Sequence, residues 1–314
     1  MVTLEQAQQQ LNIKKVIYGS LSWLDVEMPT LAEMEYLKQT YDFHPLALDD
    51  CLSRIQLPKV DDYDDYLFLV LHFPLFNREA RLTVASQVSV FVGSDYVITV
   101  HKGDLRPLMK LFGDCEASEA VRKGVMGQSS GYLLYRILDG LVDDCFPMLN
   151  KVEDEVDNLE IRVFDVAAKE LARNLSIARR DILAYRRIVR PQIRALELLE
   201  NEDYPFLKVD PDVYFGDLAD HMRRISVELE DLKEVVEGLH DTYVSLSNIR
   251  IAEVIRILTV IFTFTLPATT LGTLYGMNVG LPLETKPYAF GVLLGVMAVG
   301  TIAAVFFLRA RRWL

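Results

Sequence analysis

Cysteine is nearly missing from this 314-residue chain, and the three that occur, Cys51, Cys115 and Cys145, are scattered without a CxxC pair. That spacing argues against a disulfide framework or a zinc site and suits a reducing compartment. Histidine is also scarce: His44, His72, His101, His221 and His240 stand far apart. No GxSxG, HExxH or phosphate-loop motif accompanies them, so an enzyme is not expected, nor an organic cofactor. A basic excess is lacking as well. The formal net charge is −12, which argues against nucleic acid as a partner and suits a protein that attracts cations. The opening residues MVTLEQAQQQ have no basic n-region and no apolar h-region, so neither a signal peptide nor an Arg-rich transit peptide is expected.

Charge itself is missing from two stretches near the C-terminal end. ILTVIFTFTLPATTLGTL begins at Ile257, and YAFGVLLGVMAVGTIAAVFFL runs from Tyr288 to Leu308; neither holds one ionisable acid or base of the Asp, Glu, Lys or Arg kind. Each is about the length that crosses a 30 Å hydrocarbon core. The modest mean hydropathy of +0.16 is therefore an average over a polar part and a membrane part. Arg250 and Arg256 precede the first span, and Arg309, Arg311 and Arg312 follow the second. The positive-inside rule then puts both termini in the cytoplasm and the short intervening loop outside. Trp313 suits an interfacial anchor.

The polar remainder divides in two. Residues 1–128 alternate strand-like and helix-like pieces, as expected of an α/β domain. Val16 to Val26, Tyr66 to Leu71, Gln87 to Val92 and Tyr96 to His101 read as extended, with Gly93-Ser94-Asp95 as a hairpin turn. Thr30-Leu31-Ala32-Glu33 is a capping box. Residues 129–256 read as long helices. Tyr132, Leu133, Ile137, Leu141, Phe146 and Leu149 recur at helical intervals. A second helix covers about Val166 to Glu200, with a kink expected at Pro191. Its arginines Arg179, Arg180, Arg186, Arg187, Arg190 and Arg194 read as a salt-bridged face, with Glu153 to Asp157 as the natural acidic partner. Pro211 opens a third helix, and no stop signal follows before Tyr275. A continuous helix of that length is roughly 100 Å long, so it is expected to pass from cytosol into membrane as one rod. Residues 257–314 form the membrane domain, with spans at about 257–275 and 288–308.

Two spans enclose no pore alone, so a pore needs several copies around an axis. The first span is the more polar, with Thr259, Thr263, Thr269, Thr270 and Thr273. Leu258, Phe262, Leu266, Thr269 and Thr273 follow spacings of three and four and share one helix face, an apolar gate below a hydroxyl-lined section. Pro267 removes one backbone bond in mid-span. Tyr275-Gly276-Met277-Asn278 ends the span; by itself a Gly and an Asn in that place read as a helix C-cap.

The same Tyr275-Gly276-Met277-Asn278 between two C-terminal spans resembles the signature of the CorA magnesium-transporter family. Phe43-His44-Pro45-Leu46, Pro58-Lys59-Val60, Gln87-Val88-Ser89, Asp139 to Asp144 (DGLVDD), Asp217 to His221 (DLADH) and Arg312-Trp313-Leu314 carry the resemblance across almost the whole chain. It implies an α/β cytoplasmic domain, a long stalk helix continuing into a two-helix transmembrane domain, and a homopentamer in a prokaryotic inner membrane. It implies a filter at Gly276, Met277 and Asn278, pore positions at Thr269 and Leu266, and a pore-entrance carboxylate at Asp241. It also implies a regulatory Mg2+ site between subunits. There Asp217 matches the stalk carboxylate, whereas its usual partner Asp is replaced by Asn77, with Glu79 nearby. In the external loop Leu281-Pro282-Leu283-Glu284 departs from the family's Met-Pro-Glu-Leu, and Glu284 is expected to attract cations.

The chemistry agrees with the resemblance. Mg2+ dehydrates reluctantly, and a ring of neutral Asn carbonyls holds its water shell without binding it tightly enough to stop conduction. The expected function is a channel for hydrated Mg2+, with Co2+ or Ni2+ as further cargo, closed by cytosolic Mg2+. The alternatives are transport of Zn2+ or another divalent cation on the same scaffold, and a non-conducting membrane sensor or scaffold. No His or Cys lies in either span, which weighs against softer metals.

Overall fold

A computed structural model describes residues 11–53, 56–79, 82–163, 168–277 and 286–311. Two compact units divide the chain, Met1–His240 and Asp241–Leu314.

The first unit is built on a six-stranded sheet ordered β1-β2-β6-β5-β4-β3. The strands are β1 (Ile13–Tyr18), β2 (Leu21–Glu27), β3 (Lys59–Asp62), β4 (Leu67–Asn77), β5 (Leu82–Val92) and β6 (Tyr96–His101). Among the described residues only the β2–β6 pair is parallel. The stretch from Val16 to Val26, expected as one extended run, is two strands of a hairpin: Gly19 takes φ +62° at the turn, a conformation that costs glycine little, and Tyr18 pairs with Leu21. The hairpin at Gly93 forms as expected, its N–H donating to the Tyr96 carbonyl at 3.0 Å. Leu67 to Leu71 are all buried, which is why β4 reads as an unbroken apolar run and not as an alternation.

Helices α1 (Leu31–Tyr41) and α2 (Pro45–Leu52) cover one sheet face. The expected capping box is present: Glu33 accepts from the Thr30 backbone N–H at 2.8 Å while Thr30 caps the helix start. The Phe43-His44-Pro45-Leu46 motif proves to be a corner between the two helices. Asp42 ends α1 in the left-handed region, His44 Nδ1 accepts from the Leu46 N–H at 3.2 Å, and Pro45 opens α2. Phe43 thereby enters the core, stacked on Phe91 at 4.1 Å and packed against Tyr41 and Tyr66.

Helices α3 (Arg106–Ala117), α4 (Glu119–Met126), α5 (Ser130–Asp143), α6 (Cys145–Arg162) and α7 (Ala168–Asn201) complete the layers. Trp23 meets Phe112 of α3 edge-on and donates through Nε1 to Thr99 Oγ1 at 3.1 Å. Thr99 donates in turn to Asp25 Oδ1 at 2.6 Å, and His101 Nε2 lies 3.0 Å from the same oxygen. The Gly103 N–H donates to His101 Nδ1, which leaves the ring proton on Nε2, toward Asp25. His101 is therefore a satisfied core residue.

Helix α7 runs unbroken through Pro191. Its inner face is fastened by polar side chains: Asp181 accepts from the Thr83 N–H, the Tyr185 hydroxyl donates to the Cys145 carbonyl at 2.7 Å, and Gln192 Nε2 donates to the His72 carbonyl. Helix α8 (Pro211–Tyr275) starts and stops where the sequence predicts. In the first unit it buries Phe215, Leu218, Met222, Ile225, Leu229, Val236 and Leu239, a stripe with alternating steps of three and four, or seven, residues. Arg179 and Arg186 of α7 pair with Glu237 and Glu230 of α8, and Arg223 of α8 pairs with Glu197 and Glu200 of α7. The acidic partners of Arg179 and Arg186 thus come from α8, not from Glu153 to Asp157, which stay exposed on α6 apart from buried Val156. The second unit holds the rest of α8 and α9 (Ala289–Ala310).

Phe43→Ala should cost about 3–5 kcal/mol, the range for emptying a buried aromatic site, and Phe43→Leu distinctly less. Denaturant unfolding of the detergent-solubilised chain, followed by Trp fluorescence, measures both.

Candidate ion pathway and cation-binding residues

At 3.6 residues per turn, Leu258, Phe262, Leu266, Thr269 and Thr273 fall within an arc of about 80° on α8. All five are exposed, Leu258, Phe262 and Leu266 by 47%, 59% and 62%. The partly covered residues of the span, Thr259, Val260, Thr263, Phe264, Ala268 and Leu271, lie on the other side of the helix. There Thr259 and Thr263 share a cavity of about 370 Å³ with Ala304, Phe307 and Leu308 of α9 and with Arg311, which follows that helix. The face with the predicted row is thus the face that the second span leaves open. The row extends toward the N-terminus as Ile255, Ile251, Asn248 and Val244, all exposed, and Asp241 lies one turn further and is exposed too.

The span's threonines use their protons on their own helix. Thr259, Thr263 and Thr265 each donate to the carbonyl four residues back, Thr269 to those of Thr265 and Leu266, and Thr273 to that of Thr270. A hydroxyl whose proton points into the helix keeps its oxygen lone pairs as acceptors. Thr269 and Thr273 therefore present acceptors on the open face, which is what the water shell of a cation requires. Pro267 stays within the unbroken helix; it has no N–H for the Thr263 carbonyl.

Gly276 is not a left-handed cap. Positive φ is confined to other residues among those described, and the Gly276 N–H continues the helical pattern by donating to the Gly272 carbonyl at 3.0 Å. A Cβ there would meet only carbonyls of its own preceding turn, Gly272 at 3.3 Å and Thr273 at 3.6 Å. Met277 donates to Leu274 at 3.3 Å and is exposed. Asn278 and Glu284 lie outside the described residues.

The three residues expected at a regulatory cation site fall in the first unit. Asn77 ends β4, and its Oδ1 accepts from the Glu79 N–H at 3.0 Å; the two make an Asx turn at the tip of the β4–β5 hairpin. Asp217 stands on α8, half exposed, with His221 Nε2 at 3.8 Å. His221 is not a plain surface residue: Phe146 meets its ring edge-on at 5.6 Å, and its Nδ1 is buried. Among the described residues no group of three or more His, Cys, Asp or Glu is placed to hold a metal within one chain.

What the sequence reading did not single out is the environment of Asp139. Burial, and then the carboxylates of Asp143 and Asp217, raise its pKa, against the opposing pull of Arg136 and His221. The DGLVDD motif is thus a concentration of negative charge beside α8. Its spacing was legible, but the proximity of α5 to Asp217 was not.

Comparison with known proteins shows the family and the fold. The family model described as CorA-like Mg2+ transporter protein matches residues 18–311. The cobalt/magnesium transport protein CorA of Thermotoga maritima is 30% identical over 87% of this chain and 78% of its own length. The zinc transport protein ZntB of Pectobacterium carotovorum is 22% identical over 93% of this chain and 88% of its own. Among solved structures, the CorA magnesium transporter of Methanocaldococcus jannaschii superposes with a TM-score of 0.80 at 22% identity, covering 96% of this chain and 94% of that one. That fold has a soluble α/β domain, a long helix and a C-terminal helix, as this chain does. The match spans residues 18–311, nearly the whole length, and the chain belongs to the CorA-like Mg2+ transporter family.

Proposed function

We propose that five copies of this chain form a homopentameric channel that conducts hydrated Mg2+ into a prokaryotic cytoplasm. Residues 257–314 form its membrane domain, residues 1–128 and 129–256 its cytoplasmic α/β and stalk parts, and both termini face the cytoplasm. The observation that carries the reading is the open face of α8. Val244, Ile251 and Leu258 recur every seven residues, as do Asn248, Ile255 and Phe262, and Leu266, Thr269 and Thr273 follow on the same side. That spacing suits parallel helices packed around an axis, with apolar constrictions below acceptor-bearing hydroxyls.

In this mechanism hydrated Mg2+ docks at Gly276, Met277 and the Asn278 carbonyls, drawn there by Glu284. It then passes the Thr273 and Thr269 oxygens and meets the apolar constriction at Leu266, Phe262 and Leu258 before leaving past Asp241. Membrane potential supplies about 4.6 kcal/mol per divalent ion per 100 mV, so no nucleotide hydrolysis is needed. Cytosolic Mg2+ closes the channel by bridging Asp217 of one subunit to Asn77 and Glu79 of the next. The neutral Asn77 weakens that site relative to a pair of carboxylates. The raised pKa of Asp139 supports cation attraction here, since crowded carboxylates are relieved by a bound cation as well as by a proton.

Transport of Zn2+ is the second reading, favoured by the likeness to ZntB and opposed by spans without His or Cys. Uptake into liposomes bearing the purified protein separates the two. Mg2+ entry by wild type and at least tenfold less by Asn278→Ala supports the proposal. Entry of Zn2+ but not Mg2+ replaces the cargo, and no entry of any divalent ion, with luminal Mg2+ removed, leaves a non-conducting sensor.

A second measurement concerns Asp139. With its native pKa raised above the unfolded value, the folded chain binds the extra proton in the window between the two, so this group's contribution to stability falls as pH rises through that window. In chelator, Asp139→Asn should therefore melt higher than wild type at neutral pH, with the difference shrinking as pH falls toward the carboxylate range. Mg2+ should raise the melting temperature of wild type more than that of the variant.

A further inference from the structure

The outer face of α7 carries a groove of about 620 Å³, walled by Leu57 and Pro58 from the approach to β3 and by Leu183, Pro191 and four arginines of the helix. One of the four, Arg186, is paired with Glu230. Arg187, Arg190 and Arg194 are exposed, and among the described residues none of these three forms an ion pair. Acids are not scarce: the chain has a net charge of −12, and Arg179, Arg186 and Arg223 all find carboxylates between α7 and α8. Three cations thus stand together on one face, with no carboxylate in the lining of the groove.

Their spacing suggests what compensates them. Positions i, i+3 and i+7 line up along about 10 Å of helix, too far for one phosphate to reach all three and suited to a row of phosphates. The guanidinium fork matches phosphate oxygens in pairs. The rest of the groove is apolar, and Leu57 stands 76% exposed in its wall. Pro191 adds an acceptor: lacking an N–H, it leaves the carbonyl of Arg187 without its helical donor. A polyanionic tail, a flat apolar body and a hydrogen-bond donor are the features this lining recognises, and the volume lies within the range of small-molecule pockets.

We propose that this groove binds a nucleoside polyphosphate, its phosphates along Arg187, Arg190 and Arg194 and its base against Leu57, Pro58 and Leu183. The groove is lined by residues of the first unit alone and does not rest on the transport reading.

Calorimetric titration of the full-length detergent-solubilised chain with ATP, inorganic triphosphate and AMP, magnesium chelated, tests it. ATP is expected to bind tightest, inorganic triphosphate at least threefold weaker for want of a base, and AMP at least tenfold weaker for want of a phosphate row. Arg190→Gln with Arg194→Gln should weaken ATP and triphosphate alike by tenfold or more, with the melting temperature unchanged because both side chains are exposed. Leu57→Ser should weaken ATP and leave triphosphate as it was. Absence of saturable ATP binding at millimolar concentration overturns the proposal, as does equal binding by the double arginine variant. Equal affinity for ATP and triphosphate removes the base and leaves a phosphate site only. Saturation by an acidic peptide copied from Glu153 to Asp157, with no nucleotide binding, replaces the ligand by a second copy of the chain.

Discussion

Between Leu239 and Val244 the apolar stripe of α8 passes from covered to uncovered while the helix continues. Up to Leu239 the stripe is buried in the first unit; from Val244 to Phe262 the same three-and-four spacing recurs on exposed residues. Helical hydrogen bonds inside the segment let it cross from water to hydrocarbon without exposing backbone polar groups, so no loop is needed at the boundary. Its uncovered apolar face then needs either lipid or further copies of itself. Thr269 and Thr273 lie on that face with their protons used on their own helix and their lone pairs turned outward, and lipid offers such acceptors no donors.

The polar groups follow a consistent economy. In the soluble unit, Trp23, Thr99, Asp25 and His101 complete one another's hydrogen bonds, and Asp181, Tyr185 and Gln192 fasten α7 to backbone groups. In the span the threonines direct their protons inward and their lone pairs outward. Where the economy is broken, function is the natural explanation: Asp139 sits among like charges, and Arg187, Arg190 and Arg194 face a groove without acids.

Several motifs that carry family resemblance are structural in origin. Phe43-His44-Pro45-Leu46 turns the chain between two helices and sets an aromatic in the core. Gly276 continues the hydrogen-bond pattern of its helix past Tyr275. A motif read as a string of letters does not separate these duties from ion binding, because both constrain residue identity.

Local patterns sufficed for the elements. The capping box at Thr30, the helix opening at Pro211 and ending at Tyr275, and the two charge-free spans depend on residues close in sequence, and so does the arc that gathers Leu258 to Thr273 on one face. What needed the tertiary structure were contacts between distant segments. The acids that answer Arg179 and Arg186 come from α8 and not from the acidic run on α6; Asp139 lies within the field of Asp217; and α9 covers the side of the span away from the row. Periodicity fixes which residues share a face of one helix, but which neighbour that face meets depends on packing summed over the whole fold.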